Sequence, residues 1–190
     1  MGEGADRVAD DGPAGGPDLE ARDGIGTPDG FRRLWTPHRM AYIKDAGGTG
    51  CPFCRIPSLS DSEGLVVERG KHVYAVLNLH PYNPGHLMVL PYRHVAELED
   101  LTDEESGELM AFTQEALRTM KRVAAPHAFN VGLNLGTVAG GSLADHLHQH
   151  VVPRWGGDAN FIAVVGQTKV IPQLLSETRD LLASAWEPRG

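Results

Sequence analysis

His146-Leu147-His148-Gln149-His150-Val151-Val152-Pro153-Arg154-Trp155 decides the fold of this 190-residue chain. Three histidines at strict alternation, running into two valines and a proline, predict a β-strand of period 2. On a strand, alternate side chains share a face. His146, His148 and His150 then point one way, and Leu147, Gln149 and Val151 the other. Neighbouring imidazoles on the shared face lie roughly 6.5–7 Å apart, two strand rises, so three rings can act on one small anionic group. On a helix the same letters would pair only His146 with His150, as in zinc proteases. The β-branched residues and Pro153 argue against that. Metal binding stays open beside catalysis, because His-x-His on a strand is also a common metal pair.

The length suits one domain with a sizeable core. No apolar run approaches the ~20 residues needed to cross a bilayer. Met1–Asp6 lacks the basic and apolar regions of a signal peptide. The expectation is a soluble cytoplasmic protein with no membrane partner. Two cysteines are too few for a disulfide scaffold. A net charge of −8 disfavours nucleic acid as a partner, since that binding relies on a basic surface. Phosphates can be held only where local donors outweigh the global field, which directs attention to the histidines, Arg93 and Arg154.

Residues 1–30, rich in Gly, Asp, Ala and Pro, cannot bury enough apolar surface to offset their ordering entropy and are expected to be disordered. Order is expected from Phe31-Arg32-Arg33-Leu34-Trp35, giving one domain over 31–190, with Met40-Ala41-Tyr42-Ile43 a short helix or strand. Leu65–Glu68 and His72–Asn78 predict a hairpin turned at Arg69-Gly70-Lys71, and His86–Leu90 a third strand. Phe129–Asn134 is the fourth and the triad stretch the fifth. Thr102-Asp103-Glu104-Glu105 fits a capping box. The helix it opens carries Leu109, Met110, Phe112, Thr113, Ala116, Leu117, Met120 and Val123 on a core stripe. Leu174, Leu175, Thr178, Leu181, Leu182 and Trp186 mark a C-terminal helix. About five strands with one long helix and no βαβ alternation give an α+β fold with an antiparallel sheet.

Three further features bear on chemistry. Cys51-Pro52-Phe53-Cys54 admits a redox dithiol, half of a zinc site needing two more ligands, or a pair of buried thiols. Asn134-Leu135-Gly136-Thr137-Val138-Ala139-Gly140-Gly141-Ser142 leads into the triad, and its glycine amides and serine hydroxyl can close on an anion. Gln149 points away from the triad face and needs a partner of its own. It either braces the glycine loop or helps admit a second anion such as inorganic phosphate.

The triad stretch resembles the motif of the HIT (histidine triad) superfamily of nucleotidyl hydrolases and transferases. Gln149 stands where that motif normally has an apolar residue. With Val152-Pro153-Arg154-Trp155 and Gly157-Asp158-Ala159-Asn160-Phe161, it is similar to the branch containing bacterial diadenosine tetraphosphate phosphorylases. The likeness runs from about Cys51 to Phe161. It implies a HIT-like fold in which His148 is the nucleophile and His150 hydrogen-bonds the α-phosphate. His146 either supports from the outer side or serves as a zinc ligand, and His86 supports the site. Asn78 stands at the ribose-binding place, and Asn134, Gly141 and Ser142 at the phosphate-binding place, in a loop one residue longer than usual.

The resemblance also implies that Cys51, Cys54, His94 and His146 can hold a structural zinc, the chemistry itself requiring no cofactor. It implies a homodimer or larger homo-oligomer. The expected reaction cleaves diadenosine tetraphosphate with inorganic phosphate to ADP and ATP through an adenylyl-histidine. Rival expectations are a hydrolase of dinucleoside polyphosphates or nucleoside phosphoramidates, releasing AMP, and a non-catalytic, zinc-stabilised nucleotide-binding module.

Overall fold

Apolar side chains alternate between two buried faces along the central strands, and that alternation builds the molecule. The computed structural model describes residues 50–140, 143, 145–158 and 171–187. The expectations for residues 1–30, Phe31–Trp35, Met40–Ile43, Gly141, Ser142 and Ala159-Asn160-Phe161 lie outside the described residues. Five strands, β1 (Val66–Arg69), β2 (Val73–Leu77), β3 (Leu87–Pro91), β4 (Ala128–Leu133) and β5 (Gln149–Arg154), form one sheet in the order β1-β2-β3-β5-β4. Every neighbouring pair is antiparallel. The helices are α1 (Pro52–Arg55), α2 (Asp103–Ala124) and α3 (Leu175–Ser184).

Val73, Ala75 and Leu77 of β2, Leu87 and Val89 of β3, and Val151 of β5 pack against Leu109, Ala116 and Met120 of α2 and Leu182 of α3. The intervening residues Tyr74, Val76, Met88 and Leu90 pack on the other face around Phe53 of α1. Period 2 therefore assigns the even residues of β5, His150, Val152 and Arg154, to the α1 face, away from α2.

The long helix starts where its cap predicts. Thr102 Oγ1 accepts the Glu105 N–H at 3.2 Å, and Glu105 Oε2 accepts the Thr102 N–H at 2.9 Å. It ends at Ala124, two residues before Pro126, which cannot continue a helix. Met110 is half exposed, because it lies ~100° round the helix from Leu109 and leaves the buried stripe. Leu174 precedes α3, and Leu181 is rotated away from buried Leu182; both are exposed.

The triad strand departs from its predicted start. β5 begins at Gln149, so His146 and His148 precede the ladder. The β3–β5 pairing runs from Leu87↔Val151 to Val89↔Gln149, and nearby Pro91 has no N–H to extend it. Leu147 instead donates its N–H to the Val95 carbonyl at 2.7 Å. No helix among the described residues is long and apolar enough to cross a membrane.

Glu108 of α2 locks the first hairpin. Its carboxylate accepts the backbone N–H groups of Lys71, His72 and Val73 at 2.9, 2.5 and 3.0 Å. Glu108→Ala strands these donors, one of them on fully buried Val73, and should cost about 1–3 kcal/mol. Urea denaturation of the two proteins measures the difference.

Candidate active site

The imidazoles of His148 and His150 meet at a centroid distance of 4.9 Å. On the other side of His148, the Phe53 ring lies 4.9 Å away and also contacts His146 at 5.5 Å. His148 is 7% exposed. Burial pushes its pKa below the ordinary histidine value, and a hydrogen bond to the His146 carbonyl opposes the shift. That bond, Nδ1 to carbonyl oxygen at 2.8 Å, fixes the tautomer. A carbonyl only accepts, so Nδ1 carries the proton and the neutral ring keeps its lone pair on Nε2.

The same logic orients His150. The Tyr82 backbone N–H donates to His86 Nδ1 at 3.0 Å, so neutral His86 is protonated on Nε2. That nitrogen faces His150 Nδ1 at 2.9 Å and donates to it, leaving His150 protonated on Nε2. The two histidines are thus set in opposite senses, His148 to offer a lone pair and His150 to offer a proton. Fully buried His86 is the residue that sets the second sense. Its position beside the Pro84-Gly85 turn marked it in the sequence as support. The Tyr82 amide that directs it had no sequence signal.

His146 faces elsewhere. Its Nε2 donates to the Pro91 carbonyl at 2.9 Å, which leaves the lone pair on Nδ1. That atom lies 3.4 Å from Cys51 Sγ, 3.5 Å from Cys54 Sγ and 3.3 Å from His94 Nδ1. Cys54 Sγ and His94 Nδ1 are 3.3 Å apart, and all four donor atoms lie within 4.8 Å of one another. A tetrahedral site with metal–sulfur bonds of ~2.3 Å and metal–nitrogen bonds of ~2.0–2.1 Å has edges of about 3.3–3.8 Å. The cluster fits a metal ion of that kind, and the Pro91 carbonyl supplies the outer hydrogen bond expected of a ligating histidine. With both ring nitrogens so engaged, His146 reaches the triad through its main-chain carbonyl.

The other predicted site residues divide. Asn134 lines a groove beside His150, together with Asn130, Gly132, Val152 and Arg154. Asn78 Oδ1 accepts the His80 N–H at 2.9 Å, a turn closing the end of β2. Gln149 is corrected: its buried amide donates to Thr113 Oγ1 of α2 at 2.6 Å, on the opposite face of β5 from His150. That bond makes it a strand–helix joint. Arg93 is committed to Glu105, with bonds of 2.9 and 2.7 Å. Arg154 is paired with Asp158 at 2.6 and 3.0 Å, holding that carboxyl well below the usual carboxylate range. Gly141 and Ser142 lie outside the described residues.

Against known proteins, a model of the HIT domain matches residues 60–157. The AP-4-A phosphorylase of Mycobacterium tuberculosis (strain ATCC 25618 / H37Rv) is 66% identical over 172 residues, 86% of this chain and 88% of that protein. The asymmetrical bis(5'-nucleosyl)-tetraphosphatase of Schizosaccharomyces pombe is 36% identical over 93 residues, 49% of this chain and 50% of that protein. Among solved structures, a Zn-bound histidine triad family protein from Mycobacterium smegmatis superposes with a TM-score of 0.58 at 26% identity, covering 73% of this chain and 94% of that one.

The hydrogen-bond relay is testable without any substrate. Nitrogen-15 NMR of the wild type should report His150 as the Nε2–H tautomer. His86→Ala should give a tautomer mixture at His150, and His86→Gln, which restores a donor, should return the single form.

Proposed function

The chain belongs to the HIT family, and from that premise we propose that it is a nucleotidyltransferase cleaving diadenosine tetraphosphate with inorganic phosphate to ADP and ATP. The observation that carries the reaction class is the 2.8 Å bond from His148 Nδ1 to the His146 carbonyl, which presents Nε2 as a nucleophile. His148 Nε2 attacks the α-phosphorus, forming a P–N bond as the P–O bond to the leaving ATP breaks and its electron pair departs with ATP. The positive charge gained by the imidazole is stabilised by the carbonyl at Nδ1. His150 Nε2–H donates to a non-bridging α-oxygen. A phosphate oxygen then attacks the same phosphorus, the P–N electrons return to Nε2, and ADP forms.

The choice of substrate and acceptor is supported by the 66% identity to a protein named AP-4-A phosphorylase. A second reading, water as acceptor, is favoured by the likeness to an asymmetrical bis(5'-nucleosyl)-tetraphosphatase. Gln149, bonded to Thr113, argues for neither. Ribose contact by Asn78 and phosphate contact by Asn134, Gly141 and Ser142 belong to the same proposal. We further read the chain as a homo-oligomer. Strand β4 lies at the edge of the sheet with Val131 exposed, which supports a covered edge.

The metal of the Cys51–Cys54–His94–His146 cluster is read as zinc, from the mixed thiolate and imidazole donors. With four protein ligands it would be structural, contributing folding energy and no open position for chemistry.

Three experiments test these readings. Product analysis should give ADP plus ATP with saturable dependence on phosphate, and AMP plus ATP at every phosphate concentration would make the enzyme a hydrolase. His148→Ala should lower turnover by several orders of magnitude while nucleotide binding persists; activity within tenfold of wild type would remove His148 as nucleophile. Elemental analysis should find about one zinc per chain, and Cys51→Ser should lower both that content and the melting temperature.

A further inference from the structure

Beyond His150 the α1 face of the β4–β5 pair holds a cavity of about 320 Å³, within the ~300–1,000 Å³ range of small-molecule sites. Its floor is Asn130 and Gly132 of β4 and Val152 of β5, with Tyr82 as a wall and Arg154 at the far end. Gly132 stands opposite His150 in the ladder. Nothing lies within 4 Å of where a Cβ on it would be, so the floor is open at that point. From His150 to Arg154 the groove follows four strand residues, roughly 13 Å.

The lining suits a neutral, polar, flat group. Arg154 uses one N–H on Asn130 Oδ1 at 2.9 Å and two on Asp158. Two of its five donors are then uncommitted among the described residues. Because Asp158 offsets its charge, this end favours hydroxyls and ring nitrogens over a phosphate. Asn130, its oxygen taken by Arg154, presents an amide N–H. The partly exposed Tyr82 ring stacks at 27° to His150 and offers an aromatic surface for a base.

Direction decides which nucleoside. In-line displacement sends the leaving group away from the attacking nitrogen. Phe53 closes the His146 side of His148, whereas the groove opens past His150. We infer that this groove binds the second nucleoside of a dinucleoside polyphosphate, the one that departs with the polyphosphate. The inference rests on the reading of His148 as the adenylyl acceptor.

The test compares two substrates with the same adenylyl group, diadenosine tetraphosphate and the p-nitrophenyl ester of AMP, whose leaving group has no nucleoside. Gly132→Val, which fills the floor with a good strand former, should lower the ratio of kcat/KM for the dinucleotide to that for the ester tenfold or more. Arg154→Gln should lower the same ratio and serves if the first variant folds poorly, as judged by thermal melting. An unchanged ratio in a folded variant, whether both activities hold or both fall together, overturns the groove assignment alone. Wild-type protein inert towards both substrates overturns the adenylyl-transfer reading beneath it.

Discussion

A neutral imidazole has one donor and one acceptor nitrogen, and the whole site depends on which is which at four histidines. In three of them the choice is made directly by a backbone group of unambiguous polarity, and the fourth takes its sense from one of the three. Main-chain carbonyls take the protons of His146 Nε2 and His148 Nδ1. The main-chain N–H of Tyr82 takes the lone pair of His86 Nδ1, and His86 passes the sense on to His150. Backbone groups make reliable references because their positions are set by the sheet and its loops. The two central rings therefore arrive with opposite roles without reorganising at the moment of reaction.

His146 joins two parts of the molecule that the sequence presents separately. Its ring belongs to the cluster with Cys51, Cys54 and His94, while its carbonyl accepts from His148, the proposed nucleophile. Pro91 is the hinge between them. It is the last residue of β3, and its carbonyl holds His146. A metal in the cluster would fix a side chain one residue's length from the carbonyl that orients His148. The cysteine–histidine cluster and the hydrogen bonding of the triad thus meet within the same five residues, His146–His150.

The arginines illustrate how an acidic chain manages its few local positive charges. Arg93 is drawn to Glu105 at the start of α2, where it stiffens the cap, and Arg154 to Asp158 at the end of β5. Neither stands as a bare cation beside His148. In the proposed reaction the anion-binding work then falls to hydrogen-bond donors whose direction is fixed, His150 foremost. Such a site selects by geometry as well as by charge.

Local pattern was enough for much of this. The apolar runs within His72–Asn78 and His86–Leu90 marked two strands, and Thr102 and Glu105 marked the helix start, because strand runs and helix capping involve only near neighbours in the chain. Alternation along the triad stretch put Gln149 opposite His148 and His150, as found. What it left undetermined was every partner distant in sequence. Gln149 meets Thr113 36 residues away and His86 meets His150 64 away, while the meeting of Cys54 with His94, 40 apart, was implied by the family resemblance alone. These meetings follow from the strand order β1-β2-β3-β5-β4, which no short window encodes. The proton positions follow in turn, since an imidazole's tautomer is decided by whatever group the fold sets against it.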